Sequence, residues 1–232
     1  PAVVLAILAC LIPLVKIVFY SFTYFNLLES PRYVGIGMRN YLELFKDPLL
    51  GLSVRNTLFY FLVVGGMALL LGWLFGSSAA RLPLPVGIIL GLLFGIGSLS
   101  VLTPGWMGYL FSSDSYGLVN SWLLQRGIVE QPIHWSVYSN GLQAMMLFLL
   151  CLGPSYLIFY VGGRSGRRRA AWHVGITAIP LLMVAGFLLP LSVVGFPSLD
   201  YRAHWLPLMV YDYGCIRFDV GLACAIIVVF IL

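Results

Sequence analysis

The sequence predicts an all-α polytopic membrane protein with about six transmembrane helices, and three observations predict it. Of its 232 residues, 61% are hydrophobic and 9% charged, against about 25% charged in an ordinary soluble domain. The mean hydropathy is +0.99. The apolar residues gather into six runs, about 1–22, 58–79, 86–111, 141–161, 176–196 and 219 onward, all but the last near the ~20 residues a spanning helix needs. In lipid such runs must be helical, because no water satisfies the backbone.

The loops set an orientation. Numbered from the start, the second holds Arg81 and the fourth holds Arg164, Arg167, Arg168 and Arg169, and neither contains an acid. The longer first, third and fifth loops carry all eight acids. Dense Lys and Arg in short loops mark the cytoplasmic side, so the even loops and the N-terminus are expected to be cytoplasmic. The expected location is the cell (inner) membrane, multi-pass. The net charge of +5 does not point to nucleic acid, since such a binder needs a basic face on a soluble domain.

Along the chain, the first run contains Lys16, about two turns from its outer end. An ammonium costs roughly 2.5 to 3.5 kcal/mol at a span centre; snorkelling to the outer interface and a place in a transport path are both open. In the first outer loop, Tyr41, Leu42, Leu44 and Phe45 interleave in helical steps with Asn40, Glu43 and Lys46, and Asp47-Pro48 stops the turn. This predicts a short amphipathic helix on the outer surface. Ala68, Gly72 and Gly76 in the second run, and Gly87, Gly91 and Gly95 in the third, fall four apart. Small residues so spaced let helix backbones approach closely, so both runs are expected to pack tightly. The segment 112–140 is polar and aromatic, with Tyr116-Gly117 and Gln131-Pro132 as turn signals. Pro154, Pro180 and Pro190 fall inside or at the start of spans, where neighbouring helices re-satisfy freed carbonyls.

The last run, 220–232, is too short to span, about 20 Å against about 30 Å of hydrocarbon, and the first residue is not Met. Both ends read as cut. The whole of 1–232 is expected to form a single transmembrane domain of a longer chain. A signal peptide does not fit residues 1–22, which lack a charged start and a small-residue cleavage site.

Chemistry-bearing motifs are sparse. Cys10, Cys151, Cys215 and Cys224 have no CxxC spacing, and His134, His173 and His204 lie apart, so no disulfide framework and no metal site are expected. No GxxxxGK[ST] cradles a nucleotide, so no cofactor and no enzymatic activity are expected on this chain. Gly163-Arg164-Ser165-Gly166 spells a rhomboid-like GxSG, but a serine in an arginine cluster at a membrane margin lacks the dry, base-flanked setting of a nucleophile. A flexible turn accounts for it.

A series of stretches resembles one family in order and spacing. Pro1 with Pro13 and Ser21-Phe22-Thr23 opens it; Tyr33-Val34-Gly35, Asn40-Tyr41, Leu44-Phe45, Asp47-Pro48 and Arg55-Asn56-Thr57-Leu58 follow. Gly117-Leu118-Val119-Asn120, Pro132-Ile133-His134-Trp135 and Tyr211 to Ala225 complete it. Together they resemble the inner-membrane permeases of binding-protein-dependent ABC importers, in the maltose and glycerol-phosphate branch. The resemblance implies a type I importer permease fold, a second permease subunit, two cytoplasmic ATPase subunits and an external solute-binding protein, with sugar transport as the activity. The family's cytoplasmic loop before the fifth span reads Glu-Ala-Ala, then Asp-Gly-Ala. Here Arg169-Ala170-Ala171 stands in the first place and the second is missing, so the loop is shortened and its acid replaced by base. The alternative function is a diverged permease fold kept as a structural or assembly subunit.

Candidate site residues follow. The loop residues Arg167, Arg168, Arg169, Ala170, Ala171, Trp172, His173 and Gly175 are expected to dock a cytoplasmic partner, being Arg-rich with an aromatic anchor. Alternatively, the arginines set topology and hold membrane lipid headgroups. Trp106, Gln143 and Ser155 are polar or amphipathic groups at span positions and stand as substrate-path candidates, although helix packing explains each as well.

Overall fold

The computed structural model describes residues 2–29, 33–101, 109–135, 139–185 and 204–231. The described chain is mostly helical, with one two-stranded antiparallel sheet. The elements are α1 (Ala2–Ser21), β1 (Thr23–Tyr24), β2 (Val34–Gly35), α2 (Arg39–Lys46), α3 (Pro48–Leu58), a π-helical turn Phe59–Gly65, α4 (Gly66–Ala79) and α5 (Leu84–Val101). They continue with α6 (Leu118–Gln125), α7 (Ser139–Arg164), α8 (Arg168–Ala185), α9 (Leu206–Tyr211), a second π turn Asp212–Ile216 and α10 (Val220–Ile231). Two helical stretches, Pro48–Ala79 and Gly141–Arg164, are long and apolar enough to cross a membrane. Much of the apolar surface is uncovered: Leu62 is 72% exposed and Leu181 70%, where a water-soluble monomer rarely exposes large apolar patches. Residues 102–108 of the third expected span, residues 186–196 of the fifth, Pro190 and Trp106 lie outside the described residues.

The chain divides into two compact units, residues 1–57 with 204–232, and residues 58–203. In the first, α1 packs on α10, and α10 on α2 and α9. Tyr41, Leu44, Leu50, Met209 and Ile226 fill its core. The amphipathic period of α2 explains its seat: Asn40, Tyr41 and Leu44 are buried while Leu42, Glu43 and Phe45 face out. Asp47 both ends α2 in extended backbone and starts α3, its Oδ1 accepting the Leu49 N–H at 2.8 Å, with Pro48 at the position that needs no donor. Gly221, in the first turn of α10, lies against β1. A Cβ there would lie 2.3 Å from the Thr23 carbonyl oxygen, so only glycine admits the approach.

In the second unit α7 is central, and α4, α5 and α8 all pack on it. Against α4 the contact is backbone to backbone. A Cβ on Gly72 would lie 2.3 Å from Ser155 Cβ, and one on Gly76 2.6 Å from the Tyr156 carbonyl oxygen. Across α5, the Tyr156 hydroxyl donates to the Gly87 carbonyl at 2.8 Å, and Ser98 Oγ donates to the Leu149 carbonyl at 2.7 Å. Before α7, Asn120 is fully buried and organises the 112–135 segment. Its Nδ2 lies 3.0 to 3.2 Å from the carbonyls of Ser112, Asp114 and Ile133, and its Oδ1 accepts the Ile133 N–H at 3.1 Å.

Candidate functional site

The arginine-rich stretch forms the turn between α7 and α8. Only residues 165–167 separate the two helices, and Gly166, at φ 72°, takes the left-handed conformation that ends α7. Among the described residues no separate short helix stands between them. Arg164 is drawn back over α7, its guanidinium donating to the Leu82 carbonyl at 3.2 Å and lying 5.9 Å from the Tyr160 ring. Arg81, Arg164, Arg167, Arg168 and Arg169 are all exposed, and among the described residues none of them pairs with an acid.

The first turns of α8 are two-sided. Arg167, Arg168, Arg169, Ala170 and His173 are exposed, whereas Ala171, Gly175 and Ile179, at steps of four, are buried. Ala171 meets Gly162 and Gly175 approaches Leu69 and Phe159. Trp172 stands edge-on to Phe159, ring centroids 4.8 Å apart, and 5.9 Å from Trp73. It remains 36% exposed, so part of its surface packs within the chain and part is free. Between these rings and the arginines is a cavity of about 90 Å³, lined by Trp73, Ser77, Arg81, Phe159, Gly163, Arg168, Ala171 and Trp172.

The substrate-path candidates do not converge. Gln143 is fully buried, its Oε1 accepting from the Tyr60 hydroxyl at 3.3 Å. Ser155 is also fully buried, but it lies twelve residues along α7, about 18 Å away, at the crossing with Gly72. Its Oγ has no hydrogen-bond partner among the described residues. Of the α5 glycines, Gly87 faces the Tyr160 ring, where a Cβ would come within 2.4 Å, and Gly91 lies 3.3 Å from Tyr156 on the same measure. Gly95 has nothing within 4 Å.

No family model matches the chain, and no curated protein matches it by sequence.

Sequence reasoning passed over Tyr60 and a buried polar cluster in the first unit. Tyr60 could have been flagged as a hydroxyl in an apolar run, and it sits in a π turn, a geometry frequent at functional sites. In the cluster, Asn56 Nδ2 donates to the His204 carbonyl at 2.6 Å, and Thr57 Oγ1 accepts the Leu206 N–H at 2.9 Å. Asp212, nearly fully buried, pairs with Arg217 at 2.8 Å, whose guanidinium lies 4.4 Å from the Tyr213 ring. The Tyr213 hydroxyl donates to Asp47, and burial together with that carboxylate raises its pKa. Burial pushes the His204 pKa down, Arg217 adds to this, and Asp212 and Asp47 oppose it. Among the described residues no group of three His, Cys, Asp or Glu is placed to hold a metal ion.

Proposed function

We propose that the chain is a transmembrane permease subunit of an ATP-driven importer for a polar organic solute such as a sugar. It is a six-span inner-membrane protein with a cytoplasmic N-terminus, and shares the translocation path with a second permease. ATP is hydrolysed on a cytoplasmic partner, and solute is delivered by an external binding protein. The observation that carries this reading is the way the family-like stretches close on one another. Asn40 donates to the Ser21 and Thr23 carbonyls at 2.9 and 2.8 Å; Asn56-Thr57 hold the chain before α9; Asp47 meets Tyr213; and Asn120 of the GLVN stretch holds Ile133 of the PIHW stretch. Polar residues buried in an otherwise apolar chain need such partners; the Asn40, Asp47 and Asn120 pairings each join two parts of the resemblance, and Asn56-Thr57 tie one part to residues 204 and 206, just ahead of another. Spanning by α7 is supported by its 26 residues, about 39 Å of helix against about 30 Å of hydrocarbon, with the basic turn at its C-terminal end.

A specific observation favours a second reading, a permease fold retained as a structural subunit. The three-residue turn offers little protruding surface to an ATPase, and Trp172 is half engaged with Phe159 and Trp73. One experiment separates the two readings. The tagged full-length protein is purified from its native membrane, and proteoliposomes are assayed for solute-stimulated ATP hydrolysis with wild type and Trp172→Ala. Co-purification of an ATPase, with hydrolysis cut at least tenfold by the variant at unchanged membrane insertion, supports the importer. A complex of stable composition without any ATPase overturns it in favour of the structural subunit.

A further inference from the structure

The cavity at the basic end of the second unit has a lining that helix packing does not call for. Phe159 and Ala171 form a buried wall, while Trp73 and Trp172 are each more than one-third exposed. Arg81, from the turn after α4, and Arg168, the first residue of α8, line the same space. Two arginines from separate segments thus line one cavity, and among the described residues neither has an acidic partner. Two positive charges bordering one small space repel each other, and an anion placed between them is attracted to both. The start of α8 adds free backbone N–H groups and the positive end of its dipole. Ser77 also lines the space, but its hydroxyl proton is given to the Trp73 carbonyl, so the donors on offer are the arginines and the α8 N–H groups.

We infer that this cavity binds a phosphate group, through Arg81, Arg168 and the α8 N-terminus, with Trp73 and Trp172 as its aromatic flanks. About 90 Å³ suits a group of a few heavy atoms. The planar guanidinium fork matches phosphate oxygens two at a time. The flanking tryptophans point to the phosphate of an anionic glycerophospholipid, since indoles settle at the headgroup level of a bilayer, and basic pockets between membrane helices take such headgroups. The lipid source rests on the reading that α7 spans a membrane. The phosphate site itself does not.

The test uses the full-length protein in neutral detergent at about 0.5 M salt, where the screening length is only about 4 Å and distant charges contribute little. Binding is followed by tryptophan emission during titration with short-chain phosphatidylglycerol, with diacylglycerol as the phosphate-free probe. Phosphatidylglycerol is expected to bind and diacylglycerol not. Arg81→Gln/Arg168→Gln should weaken binding at least tenfold. Arg167→Gln/Arg169→Gln, equal in charge but outside the cavity, should weaken it less than twofold. Arg81→Lys/Arg168→Lys should fall between, keeping charge without the fork. Inorganic phosphate distinguishes the source: competition at millimolar concentration assigns a free phosphate, and none assigns the lipid. Equal losses from the two Gln pairs would reduce the site to diffuse charge and overturn it. So would unchanged phosphatidylglycerol binding by the cavity pair, including the case where that pair instead releases a cytoplasmic protein through a carboxylate. Neither ATP hydrolysis nor uptake enters the readout, so this site and the importer reading fail separately.

Discussion

The two compact units solve the same problem by different means. In the first, helices are joined by buried polar side chains that reach backbone groups far away in sequence: Asn40 to residues 21 and 23, Asn56 to residue 204, Thr57 to residue 206. In the second, glycines on α4 let α7 come within backbone contact, Gly87 and Gly91 of α5 receive the Tyr160 and Tyr156 rings, and the hydrogen bonds between α5 and α7 come from the hydroxyls Tyr156 and Ser98. The difference follows from composition. Residues 23–57 and 204–219 carry most of the acids and many of the asparagines and threonines, while 58–101 and 141–164 are nearly pure hydrocarbon with glycine. Where side chains offer polar atoms, burial obliges them to pair; where they offer none, close contact is what remains. Each unit holds a buried cysteine, Cys224 in the first and Cys151 in the second. Variants retaining only one of these report thermal opening of each unit through reaction with a thiol dye.

The largest effect is expected from Gly72→Leu, because a Cβ alone would already sit 2.3 Å from Ser155 Cβ and 2.8 Å from its carbonyl carbon. Overpacking costs about 1 to 3 kcal/mol and occasionally more, and against backbone that cannot give, it falls at the upper end, so Cys151 should become reactive at a distinctly lower temperature. Gly95→Leu, entering open space, should change little. Were both variants to melt like wild type, close approach would not be what holds the second unit.

Asn56→Ala should come next. It removes the donor to the His204 carbonyl inside a buried site, at about 1 to 3 kcal/mol. Cys224 should open earlier with Cys151 little changed. A shift confined to Cys151 would break the contrast between the units.

What the sequence discloses divides along the same line. Helix existence was legible because hydrocarbon runs of spanning length have few alternatives, and α2 was legible because Tyr41, Leu44 and Asn40 recur at helical steps before Asp47-Pro48. Length was less legible. The second run was expected to start at 58, but the helix begins at Pro48, because Arg55, Asn56 and Thr57 interrupt hydropathy without interrupting the helix. α6 and α9 were hidden in segments read as loops, since a helix of six or eight residues carries too few periods to stand out. The glycine stripe was visible as spacing, but spacing could not say that Gly87 faces Tyr160 while Gly95 faces open space. At the basic turn the composition was plain and its geometry was not. Which side of Trp172 packs on Phe159 depends on where α4 and α7 lie, and no local pattern encodes that.

The smallest effect is a pH dependence confined to the first unit. His204 is buried, and burial depresses its pKa below the ordinary value near 6.5; Arg217 lowers it further, while Asp212 and Asp47 pull the other way. The sign follows from which state takes the proton first. The unfolded chain binds it as pH falls through about 6.5, while the folded state resists until its lower pKa is reached. The stabilisation is therefore complete above about pH 6.5 and is lost on acidification, at no more than about 1.4 kcal/mol for each unit between the two pKa values. Asp219, whose pKa burial raises, acts in the opposite sense, because its folded state takes up a proton more readily than the unfolded chain. The useful quantity is therefore the difference between wild type and His204→Gln, which removes only the imidazole. Between pH 7.5 and 5.5 the Cys224 opening temperature should fall more steeply in wild type than in the variant. Parallel slopes would mean that His204 keeps an ordinary affinity for protons, and that the polar network around Asp47, Asp212 and Arg217 is open to water rather than sealed within the first unit.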